Sequence, residues 1–288
     1  MYKKEMVRTK DGYSLGIRIF LPFRSFTSVI ILAPSALLSQ KDYLNFARFL
    51  QHHGFAIVSF DYRGMGESAP TSLVGFDASL EQWATYDTDA VILYTRQRFP
   101  MNELIYIGHG IGGEISGLVP AIQFINKLVL INSSLSCTRY RHAKDKLWVG
   151  SMSLFYRMLS RMYGYFPGKR LGKKHDLPPG IMKEWLHWCD NSNGLFDDYP
   201  DHNYRKQRFS ILAYSFSDDW RSRKKGVKSL LDHFSSAQIT WRHIEPEEVN
   251  EVKVGHLGFF NYEKCGNLWK EMMSWVEAFR PAGLGYTG

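Results

Sequence analysis

Short apolar runs alternate with segments of helical spacing along the first half of the chain. The segments "EMVRT" and "YSLGIRIFLP" flank a turn at residues 10–12, which predicts a β-hairpin. "SVIILAPSA" and "FAIVSFDYRGMGES" contain strands buried on both faces, as is typical of a parallel sheet. Between them, "DYLNFARFLQHHG" has apolar residues at helical spacing and a stop signal at Gly54. The alternation predicts an α/β fold with a mostly parallel central sheet flanked by helices.

The second half continues this alternation with one interruption. A helix is expected around residues 80–98, followed by strands in "ELIYIGHG" and "KLVLINS". After Ser134 the pattern gives way to the amphipathic "LWVGSMSLFYRMLSRMYGYF" and a basic, Gly/Pro-punctuated stretch. Strands resume in "FSILAYSFSDDW" and "QITWRHIEP", and "NLWKEMMSWVEAF" predicts a last helix. We therefore expect a core formed by residues 1–136 and 207–288, with a helical lid inserted at residues 137–206.

Composition narrows the functional classes. A chain of 288 residues with 44% hydrophobic residues can bury a large core, so extended disorder is not expected. The net charge of +8 would tolerate an anionic partner, but no basic repeat, zinc-ligand spacing or RNA-binding signature accompanies it, so nucleic acid is not expected. Three scattered cysteines argue against a disulfide framework, and no signal-peptide-like or membrane-spanning run is present, so we expect a cytoplasmic protein. No cofactor motif and no metal site is found, and oligomeric state is not predicted.

The stretch "IGHGIGG" lies where a predicted strand ends and a helix begins. A strand, a tight glycine turn and a helix with the pattern G-x-S-x-G form a nucleophile elbow. Gly108, Gly112 and Gly113 occupy its small-residue positions, but Gly110 stands where the nucleophilic serine is expected. The loop lacks the Lys-Ser/Thr ending of a P-loop and comes too late in the chain for a dinucleotide fingerprint. It is therefore interpreted as an elbow whose serine is replaced by glycine.

Four motifs in chain order resemble the α/β-hydrolase superfamily, in particular bacterial cytosolic hydrolases of the serine-aminopeptidase and lysophospholipase-like type. "DYRGMGES" is similar to the D-x-R-G-x-G-x-S loop, and "GHGIGG" to the G-H-S-x-G-G elbow. "SFSDDW" resembles the loop of the catalytic acid, and "GHLGFF" the loop of the catalytic histidine. The resemblance covers nearly the whole chain and keeps the family's order of nucleophile, acid and histidine.

The resemblance implies a role for several residues. His256 would be the catalytic base, with Asp218 as the acid that orients it and Asp219 as the alternative acid. The backbone N–H groups of Ala36 and Ile111 would form the oxyanion hole. His109, beside the nucleophile position, is interpreted as a packing residue, with a chemical role the less favoured alternative.

Ser35 supplies the nearest alternative hydroxyl. Nothing in the sequence pairs Ser35 with a base, so we do not expect it to be a nucleophile.

The amphipathic part of the predicted lid suggests the substrate. Phe155, Met158 and Met162 are expected to line a pocket for a small molecule with a hydrophobic, acyl part. Basic residues across 139–176 could instead hold an acidic head group or a membrane surface. We favour a lid helix that covers the site with its apolar side and exposes its charges.

Three functional hypotheses follow from Gly110. The first is a hydrolase of acyl esters or thioesters whose nucleophile was lost, so that it is impaired in acyl-enzyme chemistry. The second is an enzyme that uses the dyad of His256 and Asp218 as a general base for cyclisation, elimination, decarboxylation or direct attack by water. The third is a non-catalytic binding protein on the same fold. They are favoured in that order, because the retained acid and base argue for chemistry.

Overall fold

Eight strands form a single sheet in the computed structural model, which describes residues 1–137, 139 and 143–278. The order across the sheet is β1-β2-β4-β3-β5-β6-β7-β8. The first pairings, β1 with β2 and β2 with β4, are antiparallel, and all the others are parallel. The predicted hairpin and the mostly parallel α/β sheet are therefore confirmed. In chain order the strands are β1 (Lys3–Arg8), β2 (Ser14–Phe20), β3 (Ser28–Ala33), β4 (Ala56–Phe60), β5 (Glu103–His109), β6 (Lys127–Ile131), β7 (Ser210–Phe216) and β8 (Gln238–Ile244).

Helices cover both faces of the sheet, because the central strands are buried on both sides. The α-helices are α1 (Leu44–His52), α2 (Leu80–Gln82), α3 (Asp89–Arg98), α4 (Ile111–Glu114), α5 (Ala143–Tyr163), α6 (Pro179–Asp190), α7 (Lys224–Asp232) and α8 (Tyr262–Ala278). Apolar residues of α1 and α8 pack on one face, and those of α3 and α7 on the other. Among the described helices, none is long and apolar enough to cross a membrane.

The helix expected around residues 80–98 is not uniform. Between α2 and α3, the segment Trp83–Thr88 is a π-helix. The indole of Trp83 stacks on the ring of Tyr62 at a centroid distance of 4.3 Å and donates a hydrogen bond to the carbonyl of Arg63. The Thr88 hydroxyl bonds the Trp83 carbonyl at 2.8 Å. These contacts accompany the wider turn, which is consistent with the frequent association of π-bulges with tertiary constraints.

Between β6 and β7 the chain departs from strand–helix alternation, as the sequence predicted. This stretch, here the β6–β7 segment, contains α5 and α6, and an antiparallel bridge between Phe166 and Leu177 closes the basic loop that lies between them. Residues 138 and 140–142 of the expected lid, and residues 279–288 of the expected core, lie outside the described residues. The function of the β6–β7 segment as a lid remains a prediction.

Candidate active site

The turn between β5 and α4 has the backbone of a nucleophile elbow. Gly110 has φ of 53° and ψ of −119°, a conformation that side chains strongly disfavour. An added Cβ at Gly108 would lie 2.5 Å from the Cα of Gly113, so strand and helix approach too closely for a larger residue there. The glycine pattern of "IGHGIGG" therefore produces the expected turn, with no side chain at its tip.

The space above Gly110 is already filled. A Cβ added there would meet the Ser35 hydroxyl at 2.5 Å, the Nε2 atom of His256 at 3.0 Å and the Ser35 Cβ at 3.2 Å. Contacts of 2.5 Å do not occur between a real Cβ and its neighbours. Ser35 thus takes the volume that a side chain at position 110 would need.

The structure corrects the predicted partner of His256. The Nδ1 atom of His256 lies 2.7 Å from a carboxylate oxygen of Asp219, not of Asp218. Asp219 also accepts hydrogen bonds from the hydroxyl of Ser222 and, at 3.0 Å, from the backbone N–H of Arg221. These donors hold the carboxylate against the imidazole, so Asp219 is the residue placed to orient His256.

Asp218, the acid favoured from sequence, binds backbone instead. Its carboxylate accepts the N–H of Val254 at 2.9 Å and that of Gly255 at 2.9 and 3.0 Å. Both groups immediately precede His256, and Gly255 has a φ of 63°. Asp218 therefore shapes the loop that presents the histidine, while its neighbour contacts the ring.

Opposing effects act on the Asp219 carboxylate. Burial alone would raise its pKa, since Asp219 is about 1% exposed. The charge of His256, followed by hydrogen bonds from His256, Ser222 and Arg221, outweighs burial and lowers the pKa to about 2. Asp219 is consequently ionised at neutral pH and favours the tautomer of His256 that carries its proton on Nδ1. The lone pair of Nε2 is then free to accept a proton.

A buried hydrogen-bonded chain holds the surrounding loops in place. The carbonyl of His256 accepts hydrogen bonds of 3.0 Å from the Asn132 amide and from His109 Nε2. The Tyr43 hydroxyl lies 2.7 Å from His109 Nδ1 and accepts the backbone N–H of Ser35 at 2.9 Å. Burial, and next the charge of His256, lower the pKa of His109 well below its ordinary value, so His109 is neutral. Tyr43 therefore donates to His109, which acts as a support rather than a base.

The two residues predicted to supply oxyanion donors line the same cavity. Ala36 and Ile111 both line the cavity that contains His256 and Gly110. Among the described residues, neither N–H donates to a backbone acceptor. Leu37, next to Ala36, has a φ of 66°, a conformation that a branched side chain rarely adopts. Such strain beside a pocket is common at functional loops.

The "DYRGMGES" loop supports this region rather than lining it. The buried Asp61 carboxylate accepts the backbone N–H of Gln40 at 2.7 Å and that of Glu67 at 2.7 Å. The Ser68 hydroxyl donates to the Asp61 carbonyl at 2.6 Å and accepts the N–H of Gly16 at 2.8 Å. The motif thus ties the loop after β4 to the loop after β3, which carries Ser35.

A cavity of about 580 Å³ is lined by Ser35, Gly110 and His256 among other residues. Its wall is mainly apolar and comes from the loop after β3, from α2 and from the β6–β7 segment: Leu37, Leu38, Leu80, Met152, Phe155, Phe166, Leu171, Leu177, Ile181, Met182 and Trp185. Phe155 therefore lies where it was expected. Met158 and Met162 do not line the cavity and are 51% and 68% exposed, so their predicted position was wrong.

Comparison with known proteins agrees with this architecture. A sequence profile described as the alpha/beta hydrolase fold matches residues 29–224, from β3 to the start of α7. The chain belongs to the alpha/beta hydrolase fold family. No curated protein matches its sequence.

Several solved structures share this fold at low sequence identity. DcsB, determined in complex with its substrate analogue, has 16% identity and a TM-score of 0.68, with 96% of this chain and 99% of that chain covered. GrgF from a Penicillium species has 14% identity and a TM-score of 0.64, with 96% and 98% covered. The Exiguobacterium antarcticum esterase has 13% identity and a TM-score of 0.64, with 96% and 100% covered. At these identities the likeness establishes the fold alone.

Three features of the site escape sequence reasoning. Ser35 and His256 are 221 positions apart, and their approach at 3.4 Å has no local signal. The supporting contacts of Tyr43 and Asn132 are likewise long-range. Among these supporting residues, only His109 could be recognised from sequence, because it directly precedes the nucleophile position. Its predicted packing role is consistent with its buried hydrogen bonds to Tyr43 and His256.

Proposed function

We propose that the chain hydrolyses carboxylic esters or thioesters that have an apolar acyl part. The observation that carries the proposal is the 2.7 Å contact between Asp219 and His256 Nδ1, which leaves Nε2 directed at the cavity floor. His256 would act as the general base that deprotonates the attacking hydroxyl. The N–H groups of Ala36 and Ile111 would stabilise the negative charge that develops on the substrate carbonyl oxygen. Gly110 contributes no nucleophile.

The apolar wall supports an acyl substrate. Phe155, Met182 and Trp185 line the same cavity as His256, and a chain of methylene groups would be removed from water there. The β6–β7 segment would act as the cap over this chain. Lys173 and Arg221 also line the cavity, so a substrate with a polar or anionic leaving group is compatible with its wall.

The test is turnover of p-nitrophenyl esters and acyl thioesters of increasing chain length. The unmodified chain is expected to prefer medium or long acyl groups, and His256→Ala should reduce kcat/KM by about 10³-fold or more. His187→Ala is a matched control, because the side chain of His187 is 59% exposed and paired with Asp198. Its activity should stay unchanged.

Two outcomes would contradict the proposal. Turnover that His256→Ala leaves intact would remove His256 from the mechanism. Ligand binding without turnover, insensitive to the same substitution, would identify a binding protein on a hydrolase fold. Either outcome is independent of which atom attacks the carbonyl.

A further inference from the structure

The Ser35 hydroxyl lies within hydrogen-bond distance of His256 Nε2. The side chain is 7% exposed, and its Oγ lies 3.4 Å from Nε2. With the Nδ1 proton donated to Asp219, Nε2 carries a lone pair, and Ser35 is the donor in this contact. Hydrogen bonds of catalytic groups are often long before substrate binds, so this distance suits a nucleophile and its base.

Ser35 also stands where the family places its attacking side chain. Its Oγ lies 2.5 Å from the position that a Cβ at Gly110 would take, on the side that faces His256. A serine at 110 and the present Ser35 hydroxyl could therefore not occupy this space together. The glycine is compatible with a serine that enters from the loop after β3 instead of from the elbow.

Two hydrogen bonds hold the backbone of Ser35 in place. Its N–H donates to Tyr43 at 2.9 Å, and its carbonyl accepts the N–H of Leu38 at 3.2 Å. The N–H of Ala36 directly follows the hydroxyl in sequence, and that of Ile111 lies just beyond the glycine elbow. Both residues line the cavity that Ser35 and His256 also line, and they come from the ends of two different strands.

We propose that Ser35 is the nucleophile of this hydrolase, in a triad with His256 and Asp219; this inference rests on the proposed function. His256 Nε2 takes the Ser35 proton while Oγ bonds to the substrate carbonyl carbon. The tetrahedral intermediate collapses, the bond to the alcohol or thiol breaks, and the leaving group takes that proton from Nε2. Water then attacks the acyl-serine with His256 as base, releases the carboxylic acid and returns the proton to Ser35.

The decisive experiment combines active-site labelling with turnover. The full chain is treated with a fluorophosphonate probe, and the labelled peptide is identified by mass spectrometry. Labelling is expected on Ser35, and Ser35→Ala should lose the label and reduce kcat/KM by about 10³-fold or more. Ser39→Ala is the matched control, since Ser39 is a buried serine of the same loop whose hydroxyl contacts Asp42 and which is not among the residues that line the cavity.

A thiol variant reports on the base without requiring a substrate. Ser35→Cys should react with iodoacetamide at neutral pH, and adding His256→Ala should slow the alkylation by about tenfold or more, because the imidazole favours the thiolate. The three native cysteines are buried and form no disulfide, so the unmodified chain, which contains them, gives the background rate of alkylation. A merely structural Ser35 would show no dependence on His256.

The failure of this inference is distinguishable from failure of the proposed function. Hydrolysis that depends on His256, survives Ser35→Ala within about threefold and leaves no label would assign the attack to water and overturn the inference alone. If no ester or thioester is turned over, the proposed function fails. The Ser35 label and the alkylation rates then still decide whether Ser35 is an activated nucleophile.

Discussion

A side chain added at Gly110 should lower the free energy of unfolding more when Ser35 has its hydroxyl than when Ser35 is replaced by alanine. The minimal perturbation is Gly110→Ala, made both in the unmodified chain and in Ser35→Ala. The new methyl group would lie 2.5 Å from the Ser35 Oγ and 3.2 Å from its Cβ. Ser35→Ala removes the shorter contact and leaves the longer one. The difference between the two backgrounds therefore isolates the competition for this volume.

The expected free energies follow from the backbone and the contacts. Holding a residue other than glycine at φ of 53° and ψ of −119° costs about 1–3 kcal/mol in either background. Displacing the Ser35 hydroxyl adds a coupling of about 0.5–3 kcal/mol, the range for residues in direct contact. Gly110→Ala should thus destabilise the unmodified chain more than it destabilises Ser35→Ala.

Urea denaturation of all four chains measures the coupling, with the midpoint and slope taken for each. In thermal unfolding each kcal/mol corresponds to roughly 2–4 °C. Gly54→Ala is the control, because Gly54 has a φ of 92° and an added Cβ there meets nothing within 4 Å. Gly54→Ala should lower the free energy of unfolding equally in the unmodified chain and in Ser35→Ala. Equal costs for Gly110→Ala as well would refute the conclusion that Ser35 occupies this space.

The remaining predictions concern the acid pair and the buried histidine. Asp219→Asn should lower kcat by about 10³–10⁴-fold, since it disturbs the His256 tautomer. Asp218→Asn should mainly lower the free energy of unfolding, by about 1–2 kcal/mol, because it weakens the acceptor of two backbone N–H groups. Kinetics and urea denaturation are measured for both variants, and a larger loss of kcat in Asp218→Asn than in Asp219→Asn would contradict the assignment. Because the folded-state pKa of His109 lies well below its ordinary value, the unfolded chain binds the extra proton as pH falls below about 6.5. Stability should be complete above that pH and fall below it by up to about 1.4 kcal/mol per pH unit. His109→Gln should flatten this decline in urea denaturation between pH 5 and 8, and an unchanged slope would exclude His109 as its source.

Much of the fold could be predicted because its signals are local. The buried strands appear as continuous apolar runs, and the turn residues between them mark where they end. The π-helical turn at Trp83–Thr88 could not be predicted, since the stacking of Trp83 on Tyr62 joins it to a different loop. Tertiary contacts of this kind override the regular helical spacing.

The choice between Asp218 and Asp219 lies beyond what spacing can decide. Both residues follow β7 by nearly the same distance, and their chemistry is identical. The folded turn separates them: the donors for Asp218 are backbone groups of the histidine loop, and those for Asp219 are the imidazole and Ser222. Only the positions of those partners tell the two carboxylates apart.

Helix α5 was predicted correctly from its spacing, but the residues on its inward face were not. The helix was predicted and exists, but among its residues with described burial Tyr156 and Leu159 are the buried ones, at 6% and 8% exposure. Met158 and Met162 lie on the outer side. Apolar residues surround so much of this helix that periodicity alone does not identify the face that packs inward.

The hydroxyl of Tyr43 has a consequence for how substrate could enter. It joins the loop of Ser35 to His109 at the elbow, and His109 in turn bonds the backbone of His256. Three loops from separate strand ends are therefore linked through one buried phenol, and a shift of any one of them would break hydrogen bonds in the other two. Opening of the cavity is expected to come from displacement of the β6–β7 segment, while the catalytic floor stays rigid and its amide protons exchange slowly with solvent.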